Sequence, residues 1–288
     1  MNKYIYQSTI VKPVSFSGIS LHTGSYSKVL IFPACPNEGI TFTKRLSSSL
    51  FITNPFHIIG TSFCTELGSI NHFRFSIKTI EHLMGALFIL QLSNLRIEVD
   101  GPEIPIVDGS SIFWFKLLKN NIITQNILRV KKILKKIIFV IIDDSFIIVT
   151  PSSSLSINYG VDFYSSLKVN YLNWSFLPIF IHGSGVYSQI LGSRTFGTKT
   201  NLSNLKQQEL IQGANLYNAL LLNNNFLAGT FFRHPKELVN HKILDFLGDL
   251  NLISNLSNVF VIAYKSNHYL NNFLARLIFN YSDEAISI

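Results

Sequence analysis

The feature that most narrows the possible folds lies in residues 239–250, Val-Asn-His-Lys-Ile-Leu-Asp-Phe-Leu-Gly-Asp-Leu. Ile243, Leu244, Phe246, Leu247 and Leu250 suit a helix with an apolar surface offered to a core. His241, Asp245 and Asp249 stand four residues apart, so they share one helix face at intervals of one turn. Such a helix has two readings. Its polar stripe is solvated, or it carries an imidazole and two carboxylates into an apolar interior. Burial of those groups is costly unless each finds a partner. Imidazole nitrogen and carboxylate oxygen are common zinc donors.

The chain has 288 residues, enough for two domains of ordinary size. Mean hydropathy is high at +0.30, yet no apolar run reaches membrane-spanning length. The most apolar stretch, Ile137 to Val149, is cut by Asp143-Asp144. The first residues lack the apolar segment of a secretory signal. Cys35 and Cys64 are the only cysteines, too few for a disulfide framework and in keeping with a reducing compartment. The net charge of +8 is spread along the chain, which allows an anionic ligand or surface. No basic-aromatic cluster or nucleic-acid module accompanies it, so nucleic acid is not expected as a partner.

Read in order, Thr9 to Gly18 alternates like a strand and leads into a turn between Gly18 and Gly24. Ser27 to Phe32 and Gly39 to Lys44 are the next strands. Phe75 to Leu90 reads as an apolar helix, with Ser76 or Thr79 available to cap it. Glu81 and His82 are its only titratable residues after Lys78, and a structural hydrogen bond between them is the plain account of the pair. Asn94 to Asp100 is an alternating strand, followed by a loop rich in Gly and Pro and a short helix from Ser111 to Lys119. The polar lull from Asn120 to Asn126 marks a boundary, giving domains of 1–124 and 125–288.

The second half begins again with strands at Ile127 to Val130, Lys136 to Ile142, Phe146 to Thr150 and Leu155 to Phe163. Leu202 to Leu222 looks helical with an apolar side. Helix 239–253, strand Val259 to Tyr264 and a final helix from Tyr269 to Asn280 complete the chain. Strands, helix, strand and helix in both halves predict an α+β fold of two similar domains.

Four polar sites thus stand in apolar settings: Glu81-His82, His241 with Asp245, Asp249 and His268. If one metal gathers His82, His241 and Asp245, three protein ligands and an open fourth position give the pattern of a catalytic zinc. Glu81 would then be placed to accept a proton from water. His268, oriented by Asp249, would act as an acid or a cationic stabiliser. Periodicity alone does not bring residues 82 and 241 together.

Five blocks carry a resemblance. They are Lys78-Thr79-Ile80-Glu81-His82-Leu83-Met84, Gly101-Pro102-Glu103-Ile104-Pro105-Ile106-Val107-Asp108-Gly109-Ser110, Ser193-Arg194-Thr195-Phe196-Gly197, His241 to Leu250 and Tyr264 to Asn272. Together they resemble the UDP-3-O-acyl-N-acetylglucosamine deacetylase family, in the family's order and over nearly the whole chain. Leu21-His22-Thr23-Gly24 is a further match near the start.

The resemblance implies a zinc-dependent hydrolase of lipid A biosynthesis. Its reaction removes acetate from the 2-amino group of UDP-3-O-(3-hydroxyacyl)-N-acetylglucosamine, the committed step of that pathway. The implied fold is two α+β domains, each a helical layer packed on a β-sheet, with the active site between them. One zinc per chain would be held by His82, His241 and Asp245. Glu81 would be the base and His268 the acid or electrostatic partner, held by Asp249. Thr195 would donate to the oxyanion.

Lys242 and Lys265 would meet the diphosphate and sugar, and Asp162 and Phe163 the uridine. Phe196 would line the sugar site. Leu21 is grouped with the substrate contacts, and Leu202, Ile211, Leu216 and Ala219 fall at the implied acyl passage. Three residues depart from the family pattern: Thr198 replaces an aromatic, Asn201 an acid and Asn267 a glycine. The implied protein is a cytoplasmic monomer without a membrane anchor, compatible with loose membrane contact. A binding protein that kept the pocket but lost turnover is the competing reading; the complete set of catalytic residues speaks against it.

Overall fold

Two sheets with one shared strand order organise the molecule. The computed structural model describes residues 5–45, 50–69, 75–162, 172–178, 184–223, 226–228, 231–256 and 259–286. In the first half the spatial order is Val14–Ile19, Tyr26–Pro33, Leu95–Asp100, Ile40–Lys44, Leu50–Ile52. In the second it is Ile138–Ile142, Ser145–Pro151, Val259–Tyr264, Ser156–Asp162, Leu172–Pro178. Each sheet is antiparallel except at one pair. There the central strand, last of the five in sequence, runs parallel to its neighbour. The expectation that both halves share one design therefore appears as identical topology, although their sequences show no clear repeat.

Six described helices accompany the sheets: α1 (Glu81–Ile89), α2 (Ile112–Leu118), α3 (Ser184–Leu191), α4 (Lys199–Gln207), α5 (Glu237–Leu250) and α6 (His268–Tyr281). α1 and α5 occupy equivalent places, each preceding the central strand of its sheet. They pack on each other, and both are buried almost all round. Glu81 to Leu87 of α1 are buried, as is every residue of α5 except Lys242. An apolar helix buried all round belongs in a core, and here one core runs through both halves. Apart from Lys242, the polar residues on α1 and α5 are therefore buried, which removes the solvated-stripe reading of the Val239–Leu250 segment.

Two glycines set the closeness of that packing. A Cβ at Gly248 would collide with the backbone oxygen of Glu81, and one at Gly85 would press on the Leu244 side chain. Gly248→Ala is therefore expected to destabilise the protein by about 1–3 kcal/mol, the usual cost of overpacking. A lower urea midpoint at unchanged slope would register it. Gly197→Ala, where a Cβ meets nothing within 4 Å, serves as the control.

Three local expectations differ from the structure. The helix expected from Phe75 begins only at Glu81, because Ser76–Ile77 form a strand and Thr79 is left-handed with φ 58°. Neither Ser76 nor Thr79 caps α1; the Thr79 hydroxyl instead donates to Glu103 at 2.7 Å. The segment expected to be helical from Leu202 to Leu222 holds α4, then turns, then the strand Leu220–Asn223. Glu209 and Ile211 are left-handed there, and Asn215 and Asn218 bond to nearby backbone. Short polar side chains compete in this way with helix bonding. The strand expected at Ile127 to Val130 is shared between Ile122–Leu128, which pairs with Tyr6–Ile10, and Val130–Leu134.

Candidate active site

The first turn of α1 presents Glu81 and His82, and α5 presents His241, Asp245 and Asp249 along one face. His268 opens α6, whose N-cap is Asn267: its side chain accepts from the Leu270 N–H at 3.0 Å. Asn267 is in the extended region with φ −141°, which asks nothing special of the residue. Its departure from glycine thus leaves the His268 turn unstrained and adds a cap.

His82 Nε2 lies 3.7 Å and His241 Nε2 3.4 Å from Asp245 Oδ1. Donor atoms of the three residues lie within 4.8 Å of one another, and all three are buried. Neighbouring ligands on a tetrahedral zinc with bonds of 2.0–2.1 Å stand about 3.3 Å apart, so the set fits such an ion. Asp245 Oδ1 has no hydrogen-bond partner within the protein. Its other oxygen is held by Lys242 Nζ at 3.0 Å. The His241 ring donates through Nδ1 to the Ser193 carbonyl at 3.2 Å, which fixes its orientation and leaves Nε2 to face Asp245.

The electrostatics keep the set in the form a metal requires. Burial, reinforced by His241, lowers the His82 pKa to about 3, and burial also lowers that of His241. Both imidazoles stay neutral. Burial opposes ionisation of Asp245, but the basic groups around it, the Lys242 ammonium at 3.0 Å among them, outweigh it and hold the carboxyl below its ordinary range.

A second cluster adjoins the first. Asp249, fully buried, accepts from His268 Nδ1 at 2.9 Å and from Asn271 Nδ2 at 2.8 Å. Burial disfavours the charged imidazole, yet the carboxylates of Asp249, Glu81 and Asp245 raise the His268 pKa to about 9. His268 Nε2 faces Glu81 Oε1 at 3.9 Å. Burial pushes Glu81 up to about 8, with His268 pulling against it. One side chain is thus kept protonated beside another that burial makes basic.

Glu81, His82, His241, Asp245 and His268 line one cavity of about 370 Å³, together with Thr195, Phe196, Lys242 and Leu21, while Asp249 is not part of its wall. Thr195 is pinned by its own backbone: its N–H donates to Gly109 at 2.7 Å and its carbonyl accepts from Leu220 at 2.8 Å. Just before it, Arg194 makes a buried ion pair with Glu237 at 2.8 Å, tying the lead-in to the strand Phe196–Thr198 to the first turn of α5. Phe196 packs edge-on against His241, with Lys242 over its ring.

Other expected substrate residues lie elsewhere. Lys265 pairs with Asp144 at 2.6 Å and lies 3.5 Å from Asp162; neither Lys265 nor Asp162 lines this cavity. Leu202, Ile211, Leu216 and Ala219 do not line it either. Phe163 lies outside the described residues. Sequence reasoning missed Thr65, Asn271 and the Ser193 carbonyl, which touch the reacting groups from behind. No spacing signals them, because each acts through a contact made only in the folded chain.

Comparison with known proteins points one way. Residues 7–280 match the family model described as UDP-3-O-acyl N-acetylglycosamine deacetylase. A UDP-3-O-acyl-N-acetylglucosamine deacetylase of Cyanidium caldarium is 37% identical over 278 residues, covering 94% of this chain and 98% of the relative. Proteins of the same name are similar at 31% identity in Thermosynechococcus vestitus and in a Nostoc species, each across 94% of this chain, with 93% and 98% of the relative covered.

Proposed function

The chain belongs to the UDP-3-O-acyl N-acetylglycosamine deacetylase family, and from that premise we propose how its residues remove acetate from UDP-3-O-acyl-N-acetylglucosamine. The activity is a hydrolase step of lipid A biosynthesis. The observation that carries the residue assignment is the meeting of His82, His241 and Asp245 beside Glu81 and the His268–Asp249 pair. One zinc ion held by His82, His241 and Asp245 would supply a water acidified to a pKa of roughly 7 and a polarised acetyl carbonyl.

Glu81 accepts the proton of the attacking water. Thr195 donates to the oxygen that gains charge, a contact worth about 3 kcal/mol when well placed. His268, kept cationic by Asp249, passes a proton to the departing nitrogen. Lys242 stands at the cavity wall, where its ammonium suits an anionic substrate group, and Phe196 offers a ring face to the sugar. We assign Lys265, Asp162 and Phe163 to the nucleotide end and Leu202, Ile211, Leu216 and Ala219 to the acyl chain, on the family pattern alone. No described helix is long and apolar enough to cross a membrane, and the two free cysteines suit a cytoplasmic location.

The direct test measures bound metal and acetate release together. Stoichiometric zinc with turnover supports the assignment; zinc-loaded protein that binds the substrate without releasing acetate would instead indicate a binding protein. The pH profile has a definite sign. His268 is protonated below a pKa of about 9 and loses its proton above it, so kcat/KM should fall on the alkaline side near that value. Asp249→Asn removes the leading carboxylate that raises His268, so the alkaline limb should move to lower pH. A limb that stays in place would contradict the assignment of His268 as acid.

A further inference from the structure

Thr65, in the turn that precedes the strand Glu66–Gly68, touches both proton-transfer groups. Its side chain is buried. The backbone N–H donates to Glu81 Oε2 at 3.0 Å, and its carbonyl accepts from Ile80 at 3.4 Å. The hydroxyl donates to Asp249 Oδ1 at 2.5 Å and stands 3.2 Å from His268 Nδ1. Asn271 and His268 occupy the other oxygen of Asp249, so both carboxylate oxygens are engaged. With Oε2 tied to Thr65, Glu81 turns Oε1 toward His268.

The two acids belong to different halves of the chain, and Thr65 contacts both. We propose that Thr65 is a positioning residue of the reaction, holding Glu81 and the Asp249–His268 pair in one register across the two halves. The inference rests on the roles given above to Glu81, Asp249 and His268. The amide would fix the base and the hydroxyl would fix the carboxylate that orients the acid. A β-branched side chain suits this task, because its χ1 rotamer is stiff. Hydrogen bonds to an ionised carboxylate are among the stronger ones, so loss of this donor acts on orientation and not only on stability.

Thr65→Val keeps the size and removes the hydroxyl while the backbone amide remains. In the metal-loaded full chain it should lower kcat roughly ten- to fiftyfold. KM and bound metal should change little, and Thr65→Ser should restore most of the rate. Contact with Asp249 should also make the effect non-additive. In an Asp249→Ala background the same substitution should change kcat by less than about threefold. The idea is overturned if Thr65→Val turns over within about twofold of the unsubstituted enzyme, or loses the same factor with Asp249 absent. Should the valine variant not fold, Thr65→Ala and Thr65→Ser carry the comparison, and equal losses in both overturn it. Full activity in Asp249→Ala and His268→Ala would sink the acid-base reading itself, an outcome separate from a failure at Thr65 alone.

Discussion

Glu81→Gln should lower kcat by roughly three orders of magnitude, within the range of general acid-base catalysis, while metal content stays unchanged. Glutamine has nearly the size of glutamate and can still accept the Thr65 N–H that holds Glu81 at 3.0 Å. It cannot take a proton. Burial makes this carboxylate unusually basic, which suits a base that must accept a proton and then release it. His268→Ala should also be slow, through loss of the group that supplies the leaving nitrogen. Combining the two should cost less than the product of the single effects, because both serve one proton-transfer sequence. Acetate release measured at saturating substrate decides the matter. A Glu81→Gln rate within tenfold of the unsubstituted enzyme would remove Glu81 from the role of base.

Much of this site was legible because helical spacing is rigid. His241, Asp245 and Asp249 were placed on one face by arithmetic, and the structure keeps them there. The strand Val259–Tyr264 and the final helix followed from their apolar patterns, although the helix begins at His268, one residue before the expected Tyr269, on the Asn267 cap. What arithmetic could not give was the division of labour along the stripe. Asp245 turns toward His82 from α1, while Asp249 turns toward Thr65, Asn271 and His268. Those partners lie between about twenty and two hundred residues away in sequence, and no periodicity encodes them.

Glycine shows the same limit. Gly248 looked like one more motif residue, and only the packing reveals that a side chain there would strike the Glu81 carbonyl. The misreading of residues 202–222 has a local cause: its apolar side was visible, but the left-handed Glu209 and Ile211 and the Asn215–Asn218 turn were not. The duplicated design was legible in the order of elements, but not as a residue-level repeat. It fixes strand order and the placing of α1 and α5, which many apolar sequences satisfy equally well.

Chelation should abolish acetate release and also lower the unfolding temperature, with zinc restoring both. The argument starts from burial. His82, His241 and Asp245 are buried at the cavity wall with their donor atoms close together, and Asp245 Oδ1 finds no donor among its neighbours. An ionised carboxylate in that setting is costly unless a cation answers it, and Lys242 reaches only the other oxygen. A ligand that binds the folded chain alone stabilises it by about 4 kcal/mol at a thousandfold excess over Kd. For a chain of this length that corresponds to a rise of roughly 5–10 °C. Asp245→Asn keeps the volume but removes the charge, so it should lose both the activity and most of the zinc-dependent rise. Lys242→Ala should keep the rise, because it removes the carboxylate's other partner and leaves the three donors in place. A zinc-dependent rise that survives in Asp245→Asn would mean that the ion sits elsewhere. The buried face shared by α1 and α5 would then need a different account of why it carries an unpartnered carboxylate oxygen.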